Sequence, residues 1–140
     1  MKGLNLTRNN LRRIISLQRQ LQRDRKQLHM LLDLAEGTAS VPTDTIRVQN
    51  SMPPSGNKFA VAAADLTDII RAEDNELQEL QHKVLVFIKT LPGPPQIDAR
   101  VMHLRYVDCF EWHIIINLLG YTERQVFRIH RRILEELPEE

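Results

Sequence analysis

The residues best suited to chemistry lie between positions 122 and 132, where Thr122, Arg124, Gln125, Arg128, Arg131 and Arg132 crowd together. Arg124 and Arg128, followed by Arg131 or Arg132, recur at spacings that stack side chains along one side of a helix. Val126, Ile129, Ile133 and Leu137 recur at similar intervals on the opposite side and make a face for a core. A helix of this kind suits the DNA major groove. Guanidinium forks read guanine edges, an amide reads adenine, and further arginines hold phosphates. The plainer reading is a solvated basic face. The six residues are the candidate DNA-binding set.

Other reactive side chains form weaker patterns. His103, Cys109 and His113 are separated by six and four positions, which matches no familiar zinc spacing, and a fourth ligand is missing. His130 falls beside the apolar stripe and is expected to be a packed or capping histidine. No phosphate loop, nucleophile elbow or paired-carboxylate motif occurs, so no enzyme activity, cofactor or metal is expected. Arg12, Arg19 and Lys26 share one heptad position, with Arg13 and Arg23 beside them. This row is either a phosphate-contacting stripe or, as the preferred reading, the solvated outer face of a coiled coil. The acidic tail Glu135, Glu136, Glu139 and Glu140 is expected to be solvated.

The elements that must position the arginines come next. Glu111–Leu119 reads as a short helix, Gly120-Tyr121-Thr122 as a turn, and Thr122 to about Leu137 as a second helix. Two short helices joined by a three-residue turn containing Gly make a helix-turn-helix. Gly120 suits the left-handed conformation that closes the first helix. Thr122 is an N-cap and Gln125, three residues on, completes a capping box. Residues 96–108 add a helix with Ile97, Val101 and Leu104 on one face, which gives a head spanning 96–140. Pro-Gly-Pro-Pro at 92–95 is a hinge, because proline cannot continue a helix.

Before the hinge lies a two-helix body. Residues 58–91 form a long helix with Ala63, Ile70, Leu77, Val84 and Leu91 at heptad position a. Position d holds Phe59, Leu66, Glu73, Leu80 and Phe87, and only Glu73 interrupts the seam. Residues 1–37 hold the other long helix, from about Arg8 to Glu36, with Thr7 or Asn9 as cap and Gly37 as stop. Its a and d positions are Leu11, Ile14, Gln18, Leu21, Arg25, Leu28, Leu32 and Ala35. Polar Gln18 and Arg25 at a would set register and oligomer state. Residues 38–57 are a long loop with three prolines, whose Ile46, Val48 and Met52 suggest some fixed structure. The loop permits a hairpin or a swapped arrangement. A hairpin that also dimerises is expected.

Composition agrees with an all-α chain. It has 140 residues, 42% of them hydrophobic, few glycines and a single cysteine, which fits a reducing compartment and excludes an intramolecular disulfide. No stretch is long and apolar enough for a membrane span, and no secretory signal is visible. A soluble intracellular protein is expected. The net charge of +1 carries no argument for nucleic acid, but residues 1–37 hold eight Lys/Arg against three Asp/Glu.

LRYVDCFEWHIIINLLGYTERQVFRIHRRIL (104–134) resembles the C-terminus of a family of small, mostly uncharacterised phage and prophage proteins. Their shared pattern is roughly L-R-Y, W-x-x-I-A, then L-G-Y-S/T-x-R-Q-V-Y/F-R-I-H. That segment is similar to region four of primary sigma factors and to the RinA/ArpU group of phage late-operon regulators. TDTIRVQNSMPPSGNKFA (43–60) also resembles this family's loop, where V-Q-x-S precedes the second long helix. The resemblance implies a sigma-region-four-like head on a coiled-coil body, and a phage-encoded regulator of late genes that binds double-stranded DNA in the bacterial cytoplasm. It also implies host RNA polymerase as a candidate partner.

Two departures qualify the pattern. Ile116 stands where many helix-turn-helix units place Ala, and Ile114 and Leu118 stand where the family usually carries polar residues. Helix 111–119 is therefore apolar nearly all round and is expected to be buried on all sides. Ile114 and Leu118 would dock on the body, a second subunit or polymerase. With Leu66, Ile70, Leu77, Leu80 and Val84 they form the candidate protein interface of a homo-oligomer, a dimer being favoured. Two other functions fit the same elements. One is a small-terminase-like DNA-packaging subunit, and the other is an adaptor or antirepressor with a degenerate helix-turn-helix.

Overall fold

A computed structural model describes residues 6–40, 57–91 and 96–140, with side chains to Glu36 in the first stretch. The loop between the long helices, with Ile46, Val48 and Met52, and the 92–95 hinge lie outside the described residues. Every regular element among the described residues is helical: α1 (Arg8–Ser40), α2 (Lys58–Ile88), α3 (Ile97–Met102) running into a π-helical turn (His103–Val107), α4 (Trp112–Leu119) and α5 (Glu123–Glu135). The chain is all-α.

Helix α1 begins at a reciprocal cap. The Asn10 amide donates to Thr7 Oγ1 at 3.0 Å and the Thr7 amide donates to Asn10 Oδ1 at 3.1 Å. It runs 33 residues, about 50 Å, and does not stop at Gly37. A glycine inside a helix costs only about 1 kcal/mol relative to alanine, too little by itself to end one. Helix α2 starts with the Ala60 amide donating to Asn57 Oδ1 at 3.1 Å.

Two compact units divide the chain. One holds residues up to Gln18 together with Glu76–Glu140, and the other holds Arg19–Asn75. The start of α1 therefore shares a unit with the end of α2, so the two helices run antiparallel within the chain. The head is not a unit by itself from residue 96, because the ends of both long helices belong with it.

In the first unit Leu6, Leu11, Ile14, Leu17, Leu77, Leu80, Val84, Phe87, Val101, Met102, Tyr106, Ile115, Val126, Ile129, Ile133 and Leu137 are buried. Polar ties fix its parts. The amides of Arg8 and Asn9 donate to the carbonyls of Pro138 and Glu139 at 2.9 and 3.1 Å. Those are helix N-terminal donors that would otherwise lack partners. The Glu139 carboxylate pairs with Arg8 and Arg12, so the acidic tail is not simply solvated. Gln81 Nε2 donates to the carbonyls of Tyr106 and Val107 at 3.0 and 3.2 Å. Arg13 forks onto Glu76 at 2.7 and 2.9 Å, which holds that carboxyl below its ordinary range.

The π turn changes which residues face inward after α3. The Asp108 amide donates to the His103 carbonyl five positions back, at 2.9 Å. Met102 and Tyr106 are buried, whereas Leu104, expected on the inner face, is half-buried.

In the second unit Leu21, Ala63, Leu66 and Glu73 are buried, and Arg25 reaches Asp74 at 3.4 Å. The heptad of α2 is as read, with Glu73 in the seam. The frame of α1 is corrected. Its d residues Ile14 and Leu21 are buried, but the neighbouring seam position is Leu17 and not Gln18, which is half-buried. Arg25 and Leu32 are exposed. An apolar residue one position earlier fits the same 3.5-residue repeat without burying a polar group. Gln18 and Arg25 therefore do not set register from inside the seam.

Candidate nucleic-acid interface

The turn between α4 and α5 follows from its residues. Gly120 takes φ 74°, and its amide donates to the Ile116 carbonyl at 3.0 Å, closing α4. A Cβ at Gly120 would meet nothing within 4 Å, so the left-handed backbone and not crowding requires glycine. The capping box is complete. The Gln125 amide donates to Thr122 Oγ1 at 3.1 Å, and the Thr122 amide donates to Gln125 Oε1 at 3.0 Å. Glu123 in the first turn complements the helix dipole.

Helix α5 buries Val126, Ile129 and Ile133, with Leu137 just beyond it. Trp112 meets Phe127 edge-on at 5.2 Å and His130 edge-on at 4.7 Å, tying α4 to α5. Tyr106 Oη and His130 Nε2 share a hydrogen bond at 2.6 Å, and the Arg105 guanidinium lies over the Trp112 ring at 4.8 Å. Burial first, then the Arg105 charge, lowers the His130 pKa to about 4, while burial raises Tyr106 to about 12. The imidazole bonded to the Tyr106 hydroxyl is thus neutral at physiological pH. His130 is a packed residue, as its place beside the stripe suggested.

The six candidate residues divide into two groups. Arg124, Arg128 and Arg131 are exposed on the outer side of α5. None has a carboxylate within ion-pair distance among the described residues. Arg132 is committed elsewhere: its Nη2 donates to both oxygens of Asp98 at 2.8 and 3.0 Å, joining α5 to the start of α3. Thr122 and the Oε1 of Gln125 are spent on the cap. The free basic surface is therefore Arg124, Arg128 and Arg131, with the Gln125 amide group beside them.

No family model matches the sequence, and no characterised protein or solved structure matches it. The candidate surface rests on its own geometry.

The protein-interface residues separate as well. Ile115 is fully buried, but Ile114 and Leu118 are 39% and 55% exposed, so among the described residues α4 is not covered on all sides. Leu66, Leu77, Leu80 and Val84 are buried within the chain and Ile70 is half-buried. His103, Cys109 and His113 have separate neighbours. His103 meets Asp108 at 3.0 Å, His113 meets Glu111 at 3.7 Å, and Cys109 lies against Gln81 and the Tyr106 carbonyl. Among the described residues no group of three metal-ligating side chains occurs. No helix among them is long and apolar enough to cross a membrane.

Proposed function

We propose that this chain binds duplex DNA through the outer face of α5 and acts as a phage transcriptional regulator of late genes. The observation that carries the reading is the set of three guanidinium groups, Arg124, Arg128 and Arg131, unmatched by carboxylates among the described residues, on a helix whose N-terminus is capped and whose other face is core. Cations left unpaired on a rigid helix are pre-organised for phosphates and guanine edges. Arg132 acts as a positioning residue by holding α5 to Asp98. A dimer presenting two such helices would read a two-fold operator. The bacterial cytoplasm and a sigma-like mode of action belong to the same proposal.

The direct test is a gel shift on DNA selected from random oligonucleotides. The Arg124→Ala/Arg128→Ala variant is expected to lose at least tenfold in affinity, since each base-reading arginine contributes about 1–3 kcal/mol. Wild-type affinity in that variant would end the proposal.

The exposure of Ile114 and Leu118 favours a second reading, in which α4 docks a protein such as RNA polymerase. Ile114→Ser/Leu118→Ser would then abolish transcriptional activity and leave DNA binding intact. A ring of about eight or more subunits by light scattering would instead point to the DNA-packaging alternative.

A further inference from the structure

The outward side of α1 between Arg19 and Lys26 is unlike the rest of that helix. Near its start the cations are neutralised: Arg8 and Arg12 by Glu139, Arg13 by Glu76. Further along, Arg25 meets Asp74. Arg19, Arg23 and Lys26 are all exposed, and none has a carboxylate within ion-pair distance among the described residues. With Gln22 they line an open depression of about 270 Å³.

Their spacing of four and then three residues places them on one side of the helix. The positions one turn away on either side are Ile15, Ser16, Gln20, Gln22, Gln27, His29 and Met30, without an Asp or Glu among them. Like charges at these spacings destabilise a helix by a few tenths of a kcal/mol per pair. On α2, by contrast, the exposed Asp68 and Arg71 pair opposite signs. Along the axis the three cations span about 10 Å.

We infer that Arg19, Arg23 and Lys26 bind the phosphate backbone of duplex DNA, a sequence-independent contact separate from the surface of α5. The identity of the polyanion rests on the DNA reading above; the existence of the site does not depend on α5. This row stabilises any bound duplex regardless of sequence and makes binding steeply salt-dependent.

The test is a titration of the full chain with a 30-base-pair duplex of arbitrary sequence, about 50 to 200 mM salt. Each phosphate contact adds about 0.9 to the slope of log K against log salt. Arg19→Gln/Arg23→Gln/Lys26→Gln is expected to flatten the slope by about 2–3, Arg23→Gln alone by about 0.9, and Arg19→Lys/Arg23→Lys not at all. An unchanged slope and affinity in the triple and single glutamine variants would overturn the inference. A flattened slope in the triple variant with wild-type binding in Arg124→Ala/Arg128→Ala would sustain this site and remove the α5 reading. Wild-type protein without salt-dependent DNA affinity would overturn both.

Discussion

The two compact units differ in how completely they close. Among the described residues, ten of the eleven large side chains essentially inaccessible to solvent belong to the unit containing the head, and the described part of Arg19–Asn75 contributes Leu21. The cause is geometric. Two antiparallel helices can bury one stripe each and leave the flanks wet, so Met30, Leu32, Leu34, Val61 and Ile69 are exposed in that unit. In the other unit α3, α4 and α5 supply further layers and the chain's last residues cap α1. Among the described residues, the fully buried side chains are concentrated where the arginine-bearing helix is held.

The largest expected effect tests that contrast directly. Ile115→Ala removes a side chain with no exposure and should lower the unfolding free energy by about 3 kcal/mol, whereas Leu28→Ala in the distal unit should remove about 1 kcal/mol. Urea unfolding followed by circular dichroism measures both. Equal losses would erase the distinction between the units.

Acid should attack the head through His130. Its folded pKa of about 4 lies below the ordinary value of 6.5, so the unfolded chain takes up the proton first as pH falls. The stabilisation is complete above about pH 6.5 and is lost progressively toward pH 4, by about 2–3 kcal/mol over that window. His130→Gln should be less stable at pH 7.5 and should lack this part of the pH dependence. A wild-type midpoint flat between pH 7 and 4 would contradict the burial of a neutral imidazole.

Smaller effects separate the cap from the surface pair. Thr122→Ala should cost about 1 kcal/mol by opening the capping box. Arg132→Ala should cost only about 0.5 kcal/mol, because its bridge to Asp98 is solvent-facing on the arginine side. Its effect on DNA affinity should be far smaller than that of Arg124→Ala/Arg128→Ala. Equal losses of affinity would place Arg132 in the contact set.

Local signals in the chain were legible and long-range ones were not. The cap at Thr122, the glycine conformation at 120, the core stripe of α5 and the seam of α2 follow from spacings of three, four and seven residues. The seam of α1 takes Leu17 and not the neighbouring Gln18, a choice that packing makes and spacing leaves open. The docking of Glu139 on Arg8 and Arg12 and the pairing of Arg132 with Asp98 join residues far apart in sequence, for which no periodicity exists. The π turn that brings Tyr106 to His130 had no sequence signal in the apolar pattern. Ile114 and Leu118 show the limit of composition: a helix apolar all round is still exposed where no other described residue covers it.

The most direct measurement of the central claim is a map of backbone amide shifts in isotope-labelled protein as duplex DNA is added. The largest changes are expected along the outer side of α5, at Arg124, Arg128 and Arg131, with the buried Val126 and Ile129 little affected. Changes confined to Phe110, Ile114 and Leu118, or no changes at all at low salt, would contradict DNA binding by this helix.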